Sequence, residues 1–237
     1  MIEMLNMDCM ELMKKYPDKY FELAIIDPPY GIGADIAQNK AAEQRINAKG
    51  KSKAGRGWVK YKNTEWDNFA PTDEYFLELF RISKNQIIWG GNYFPYIWTV
   101  SNSFIIWNKM QREFSLADSE LAWYSIPNKA SRIFDFSRAS ALHENNKSGS
   151  RIHPTQKPVA LYKWLLKNYA KQGDKILDTH GGSGSICIAC HDMGFDLTWT
   201  ELDEDYYKAA VDRFNNHTKQ VELFEPEMIF NKNNDLF

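Results

Sequence analysis

The chain has 237 residues, 43% of them hydrophobic, and a formal net charge of −2 at pH 7. This length fits one large domain with a substantial core. The small net charge excludes a globally basic protein, so a polyanionic partner would need a local basic segment. Three cysteines are too few for a disulfide scaffold. We expect a cytoplasmic protein without a membrane span, because the sequence shows neither a signal-peptide pattern nor a run of about 18 apolar residues.

Short apolar runs alternate with helical patterns along the chain, which is typical of an α/β domain with a mostly parallel sheet. Strands are predicted at 22–26, 86–89, 103–107, 120–124, 175–178 and 197–202. Helices are predicted at 72–83, 157–171, directly after the glycines at 181–184, and at 204–216. We interpret the chain as one domain over 1–217, with a basic insertion at 35–66, a polar segment at 127–152 and a C-terminal tail at 218–237.

The tetrapeptide Asp27-Pro28-Pro29-Tyr30 directly follows the first of these strands. Open α/β sheets bind ligands at the carboxyl ends of their strands. The two prolines stiffen the backbone and fix the direction of its carbonyls. The Asp27 carboxylate adds a second acceptor, and two adjacent acceptors suit an amino group that donates both of its hydrogens. The Tyr30 ring offers a surface for stacking a planar heterocycle. An ordinary strand-ending turn is the alternative.

A second candidate site lies at 175–202, which runs strand, acid, glycine turn, helix, strand and acid. The glycines at 181, 182 and 184 let the backbone approach a ligand closely, and the helix N-terminus offers free N–H groups. Glu201 ends the following strand, where it can accept hydrogen bonds from ribose hydroxyls. The segment is neither a P-loop nor a G-x-G-x-x-G fingerprint. It indicates a nucleoside cofactor, with a plain glycine-rich turn as the alternative.

The run Cys187-Ile-Ala-Cys190-His191 matches the C-x-x-C-H pattern of haem attachment. It falls in the predicted helix behind the glycine turn, so we interpret both cysteines as small core residues. The remaining histidines show no spacing typical of metal ligands. We therefore predict no metal.

With these motifs in this order, the sequence resembles the amino-group DNA methyltransferases that use S-adenosylmethionine (AdoMet) to methylate adenine N6 or cytosine N4. It is similar to their permuted class, in which the DPPY motif precedes the AdoMet loop. The segment His153-Pro-Thr-Gln-Lys-Pro158 matches the motif before the AdoMet strand, and 178–185 resembles the loop D-P-F-x-G-S-G-T. The segments 6–9, 88–94 and 106–109 resemble further strand ends of the family. Thr179 and His180 stand where the family usually has Pro and Phe.

This resemblance implies a Rossmann-like methyltransferase fold with a mostly parallel, seven-stranded sheet flanked by helices. It implies AdoMet as cofactor and transfer of its methyl group to the exocyclic amine of a flipped base, with no covalent enzyme intermediate. The implied catalytic residues are Asp27, Pro28, Pro29 and Tyr30. The implied cofactor-binding residues are Asp8, Asp27, His153, Thr155, Lys157, Asp178, His180, Gly182, Ser183, Gly184, Ser185 and Glu201.

The resemblance also bears on substrate and partners. An Asp at position 27 favours adenine in the family, so we predict a site-specific adenine DNA methyltransferase of a restriction–modification system. The alternatives are N4-cytosine methylation, an RNA substrate and a catalytically silent AdoMet-binding module. A homodimer is one partner hypothesis. Another is contact with a sliding clamp through the peptide QVELF at 220–224 in the tail.

The segment 35–66 holds eight basic and three acidic side chains, a local balance of +5. Because it follows the DPPY motif, we interpret it as a clamp that contacts DNA phosphates. A solvated loop is the alternative, and 127–152 is the rival site for base reading. The candidate DNA-binding residues are Lys49, Lys51, Lys53, Arg56, Lys60 and Lys62.

Overall fold

The structure of the protein is a computed structural model that describes residues 1–33, 67, 69–112, 117–147 and 152–224. The basic insertion at 35–66, with its six candidate DNA contacts, lies outside these residues. So does the end of the C-terminal tail, from residue 225 onward. What was predicted for those segments stays a prediction.

Among the described residues, eight strands form one sheet that helices cover on both faces. The strands are β1 (Ile2–Asn6), β2 (Phe21–Ile26), β3 (Ser83–Trp89), β4 (Ser103–Asn108), β5 (Ser119–Tyr124), β6 (Arg132–Asp135), β7 (Lys175–Asp178) and β8 (Asp196–Glu201). The α-helices are α1 (Cys9–Met13), α2 (Asp73–Ile82), α3 (Arg138–Lys147), α4 (Val159–Tyr169), α5 (Ser185–Met193) and α6 (Glu204–Phe224). Two 3₁₀ helices, Gly91–Tyr93 and Pro95–Thr99, follow β3.

The strand order across the sheet is β1-β8-β7-β2-β3-β5-β4-β6. Neighbouring strands are parallel except where β5 runs antiparallel to β3 and β4. This arrangement confirms the predicted α/β fold with a mostly parallel sheet flanked by helices. The predicted number of seven strands is wrong, because the sheet has eight.

Apolar side chains fill both faces of the sheet. Along β2, Leu23 and Ile25 belong to the cluster beneath α4 and α5, whereas Ala24 and Ile26 belong to the cluster beneath α1 and α2. Successive side chains of a strand point to opposite faces, so a strand covered on both faces has to be apolar throughout. The two cysteines of the C-x-x-C-H run are buried in the first cluster, which confirms their interpretation as core residues.

A crevice opens between β2 and β7, where the strand order reverses. These strands are parallel neighbours, with Ala24 opposite Leu177. From β2 the sheet continues to β3 on one side, and from β7 it continues to β8 on the other. Such a reversal separates the loops at the carboxyl ends of the two strands and creates the ligand crevice of open α/β sheets.

Several elements differ from the predictions. The segment 127–152 contains β6 and α3, which the sequence patterns do not predict, because β6 is an edge strand whose side chains are mostly exposed. Helix α4 begins at Val159 rather than 157, since Pro158 is extended (φ −69°, ψ 146°) and disfavours helical backbone at the residue before it. Helix α6 extends beyond the predicted end at 216 to Phe224. In the described part of the chain, no helix combines the length and apolar character needed to cross a bilayer.

Candidate active site

A cleft of about 240 Å³ lies at the carboxyl ends of β1, β2, β7 and β8. It brings together most of the residues predicted for catalysis and for cofactor binding. The predicted residues that line it are Asp8, Asp27, Pro29, His153, Thr155, Lys157, His180, Gly182, Ser183 and Glu201. Asp27 and Pro29 of the DPPY motif therefore face the same cavity as the glycine loop, which lies about 150 residues further along the sequence, whereas Pro28 and Tyr30 do not line it.

The glycine loop is held against β8 at close range. A Cβ atom on Gly181 would lie 1.8 Å from Cε2 of the buried Trp199, so only glycine fits there without displacing the indole. The Gly181 backbone N–H donates to the Thr200 carbonyl at 2.9 Å. The next N–H, of Gly182, donates to Oε2 of Glu201 at 2.8 Å. The loop backbone thus forms one wall of the cleft.

Glu201 and Asp8 are carboxylates whose positions are fixed by backbone N–H groups. The second Glu201 oxygen, Oε1, accepts from the Asp203 N–H at 2.8 Å. Burial raises the pKa of Glu201, and these two N–H groups act in the opposite direction. Asp8 caps α1, accepting at Oδ1 from the N–H groups of Met10 and Glu11. A carboxylate oxygen with one hydrogen bond can accept another, so both side chains fit a cofactor that carries hydroxyl or amino donors.

Three predicted cofactor-binding residues, Asp178, Gly184 and Ser185, do not line the cleft. Asp178 is buried and accepts the His180 N–H at 3.0 Å, which shapes the turn from behind. Burial raises the pKa of Asp178 to about 8. Ser185 Oγ donates to the Lys157 carbonyl at 2.7 Å. Asp178 and Ser185 support the wall of the cleft rather than facing its interior.

Asp27 also lines the cleft, and two side chains fix its carboxylate. The Tyr30 hydroxyl donates to its Oδ1 at 2.6 Å, and Lys157 Nζ donates to its Oδ2. Burial raises the pKa of the Asp27 carboxyl, whereas the Lys157 ammonium lowers it. Asp67, which the sequence did not indicate, fixes the following turn by accepting the N–H groups of Tyr30 at 2.6 Å and Gly31 at 3.1 Å.

Lys157, predicted to bind the cofactor, contacts Asp27 of the DPPY motif. Its side chain is only 2% exposed, and it pairs with Glu120 at 3.3 Å as well as with Asp27. Glu120 also pairs with Lys109 at 2.7 Å. Sequence reasoning missed Glu120. An acid inside the apolar run ELAWY is the signal that could have revealed it.

Aromatic rings surround Tyr30, the last residue of the DPPY motif. The rings of Tyr30 and Tyr93 stack with centroids 4.9 Å apart. Gly90 lies against the Tyr30 ring, since a Cβ there would be 2.1 Å from Cε1. Tyr93 is half-exposed and belongs to the segment that resembles a strand end of the family, although no role was predicted for it.

His180 replaces the usual phenylalanine and packs edge-on against Tyr75, with centroids 5.2 Å apart. Its Nδ1 lies 3.0 Å from Thr179 Oγ1. Burial lowers the pKa of His180 to about 4, so the ring is neutral at neutral pH. His180 therefore places a neutral, flat ring at the position where the family usually has the neutral, flat ring of phenylalanine.

Two further features of the described residues lie apart from this cleft. His191, Asp192 and His217 place possible ligand atoms within 4.8 Å of one another, but Asp192 is already ion-paired with Lys163 at 2.6 Å. The absence of a metal site stays a prediction. A larger groove of about 670 Å³ is lined in part by Lys84 and Arg132 and contains none of the predicted site residues.

Comparison with known proteins identifies the family. A family model described as DNA methylase matches residues 58–212, more than half of the chain. The chain therefore belongs to this N6/N4 DNA methylase family. Members of the family use AdoMet as methyl donor, which makes the chain an AdoMet-dependent DNA amino-methyltransferase.

Individual relatives are distant but extend along most of the chain. Type II methyltransferase M.HpaI of Haemophilus parainfluenzae is 21% identical over 93% of this chain and 76% of its own length. Type II methyltransferase M.HinfI of Haemophilus influenzae is 23% identical over 87% of this chain and 66% of its own length.

Solved structures share the fold. The M1.HpyAVI–SAM complex aligns with a TM-score of 0.56 and 20% identity over 91% of this chain and all of the other. PvuII DNA methyltransferase, described as cytosine-N4-specific, aligns with a TM-score of 0.56 and 15% identity over 94% of this chain and 90% of the other.

Proposed function

We propose that this protein methylates the N6 amine of adenine in duplex DNA after the base has flipped out of the helix. The observation that carries the proposal is the shared cleft. Asp27 and Pro29 line it together with Gly182 and Glu201. A methyl donor held by the loop and Glu201 would have its reactive end within reach of Asp27.

The residues of the DPPY motif supply acceptors for the amine. The lone pair of an exocyclic amine is delocalised into the ring, which makes it a poor nucleophile. Hydrogen bonds from its two N–H groups to the Asp27 carboxylate and the Pro28 carbonyl favour a pyramidal nitrogen with a localised lone pair. Each Asp27 oxygen has one partner and can accept again.

When bound, AdoMet supplies an electrophilic methyl group. As the nitrogen gains the methyl it must lose one proton, and Asp27 is the carboxylate in reach. Positioning of these groups supplies much of the rate.

Adenine is favoured over cytosine by the Asp at position 27, as the resemblance implies. The fold does not decide between the two bases, since PvuII DNA methyltransferase, which is described as cytosine-N4-specific, shares it. The deciding experiment supplies labelled AdoMet with duplex DNA or RNA and identifies the methylated nucleoside by mass spectrometry. We expect N6-methyladenine in DNA. Detection of N4-methylcytosine, or of label in RNA alone, would overturn the proposal that the substrate is adenine in DNA.

A matched pair of variants tests the role of Asp27. We expect Asp27→Asn to abolish transfer while AdoMet binding largely survives, because the amide removes one acceptor and the negative charge. Asp73→Asn, at the exposed start of α2, is the control and should keep wild-type transfer. If Asp27→Asn still transfers methyl at the wild-type rate, Asp27 has no part in the mechanism. If the wild type binds AdoMet but methylates no nucleic acid, the protein is a silent binding module.

The clamp at 35–66 remains part of the proposal. Each phosphate contact that is lost should reduce the salt dependence of DNA affinity. Replacing Lys49, Lys51 and Lys53 by Gln should therefore weaken binding to all DNA sequences and flatten the plot of log K against log salt concentration. An unchanged slope would transfer the role to 127–152.

A further inference from the structure

A chain of alternating charges runs from the catalytic carboxylate toward the surface. Asp27 Oδ2 contacts Lys157 Nζ, which lies 3.3 Å from Glu120 Oε2, and Glu120 Oε1 lies 2.7 Å from Lys109 Nζ. The exposed fractions of these side chains are 14% for Asp27, 2% for Lys157, 31% for Glu120 and 15% for Lys109. The four side chains come from different parts of the fold, so it is the folded arrangement that brings these charges together.

Lys157 has the environment of a buried cation that needs more than one anion. Lysine is almost never fully buried unless it is paired, and a buried charge is costly without hydrogen-bonded partners. Two of its three N–H donors are directed at carboxylates, and its Nζ lies 5.3 Å from the centroid of the Trp89 ring. If Asp27 were its only partner, the Lys157 ammonium would face the Trp89 indole on one side and would have no second anion.

We propose that Glu120 is a positioning residue for methyl transfer, which holds Lys157 charged and directed at Asp27 so that the Asp27 carboxyl group stays in the orientation that accepts the target amine. This inference rests on the proposed function. Asp27 and Lys157 alone would form a neutral pair. Glu120 gives the Lys157 ammonium a second anion and is itself balanced by Lys109, so the two carboxylates and the two ammonium groups hold one another in place.

The titration behaviour of the groups agrees with this geometry. Burial acts to raise the pKa of Glu120, but Lys157 and Lys109 bring it down to about 2. Burial acts to lower the pKa of Lys157, but Asp27 and Glu120 raise it above its ordinary value. The other titratable side chains that interact with this chain of charges are Tyr30, Tyr162 and Asp178.

The first test compares Glu120→Gln with a control that has the same chemistry and exposure. Glu22, on β2, is 30% exposed and pairs with Lys84 at 2.9 Å, away from the cleft. We expect Glu120→Gln to lower kcat by roughly tenfold to 10²-fold, because Lys157 and Asp27 lose their alignment. KM for DNA and the Kd of AdoMet should change by less than about threefold, since Glu120 is not among the residues that line the cleft. Glu22→Gln should match the wild type, and Glu120→Asp should retain part of the lost rate.

The second test measures the protonation of Lys157 directly and does not depend on enzymatic activity. In protein labelled with ¹³C at lysine Cε, the Lys157 signal is assigned by its loss in Lys157→Met, and its pH titration is followed by NMR. Without Glu120 the ammonium has one anion fewer, so Lys157 should titrate at lower pH in Glu120→Gln. The alkaline limb of the kcat–pH profile should move in the same direction.

The outcomes separate this inference from the proposed function. If the wild type transfers no methyl group, the proposed function fails, and the NMR titration still decides whether Glu120 holds Lys157 charged. The inference is overturned if Glu120→Gln behaves like Glu22→Gln in rate and titration. It is also overturned if kcat falls in Glu120→Gln while the Lys157 titration and the kcat–pH profile stay where they are in the wild type, since that pattern describes a merely structural role.

Discussion

The ring of Tyr93 stacks on the ring of Tyr30, with centroids 4.9 Å apart and planes 16° from parallel. Tyr30 is the ring on which we expect the flipped base to stack, and its hydroxyl is tied to Asp27. Because Gly90 lies against the Tyr30 ring as well, the base needs space that Tyr93 occupies in this structure. Tyr93 is 44% exposed, so it can leave toward solvent.

We therefore predict that Tyr93→Ala binds target DNA more tightly than the wild type. An aromatic pair is worth roughly 0.5–1.5 kcal/mol, so removing the competing ring should lower Kd by about two- to tenfold. Fluorescence of 2-aminopurine at the target position would report the flipped base. Tyr96→Ala, an equally exposed tyrosine at 45%, is the control and should leave the Kd unchanged. Weaker binding by Tyr93→Ala would instead make Tyr93 a contact of the DNA.

Glu201 provides a prediction for cofactor affinity. In Glu201→Gln one carboxylate oxygen becomes an NH₂ group, which cannot accept a hydrogen bond from either Gly182 N–H or a ribose hydroxyl. A hydrogen bond to a charged group is worth about 1.5–3 kcal/mol, so the Kd of AdoMet should rise roughly 10- to 100-fold in calorimetric titrations. Glu204→Gln, which removes only an exposed pair with Lys208, should bind like the wild type. Equal affinities for all three proteins would remove Glu201 from the cofactor site.

The sequence predicted the centre of the sheet well because local pattern and tertiary burial agree there. The run at 22–26 is apolar at every position from Leu23 to Ile26, and β2 is covered on both faces. At the edge, β6 forms only because β4 supplies a hydrogen-bonding partner, with Ile106 opposite Ile133. A pairing between segments distant in sequence leaves no periodic signal in four residues, three of which are exposed.

The candidate site divides in the same way. Motifs with a local backbone requirement, such as the prolines at 28–29 and the glycine at 181, could be recognised from the sequence alone. The charged partners could not, because Glu120 meets Lys157 only through the order of the strands. Asp67 supports the DPPY turn from 37 positions away. Such contacts depend on the folded arrangement and require the structure.

His180 departs from the family and provides a third prediction. Its ring is buried and neutral, since its pKa is lowered to about 4. A phenylalanine has a similar shape and also no charge, so His180→Phe should bind AdoMet within about threefold of the wild type. His180→Lys places a cation beside a positively charged cofactor and should weaken binding far more. Calorimetric titration of both variants checks this. Loss of binding in His180→Phe would show that the ring nitrogens are required.

Asp178 makes the stability of the protein depend on pH. Its pKa is about 8 in the folded chain against an ordinary value of 3.8, so the folded state holds a proton that the unfolded state has released. Its contribution to the free energy of unfolding is full below pH 3.8 and is lost as the pH rises toward 8.

The side chain of Asp178→Asn cannot ionise. The difference in Tm between this variant and the wild type should therefore shift in favour of the variant between pH 5 and pH 8. Thermal denaturation at both pH values measures this shift, with Asp212→Asn, an exposed acid on α6, as the control. A difference in Tm that stays constant, or shifts toward the wild type, would contradict the buried protonated state of Asp178.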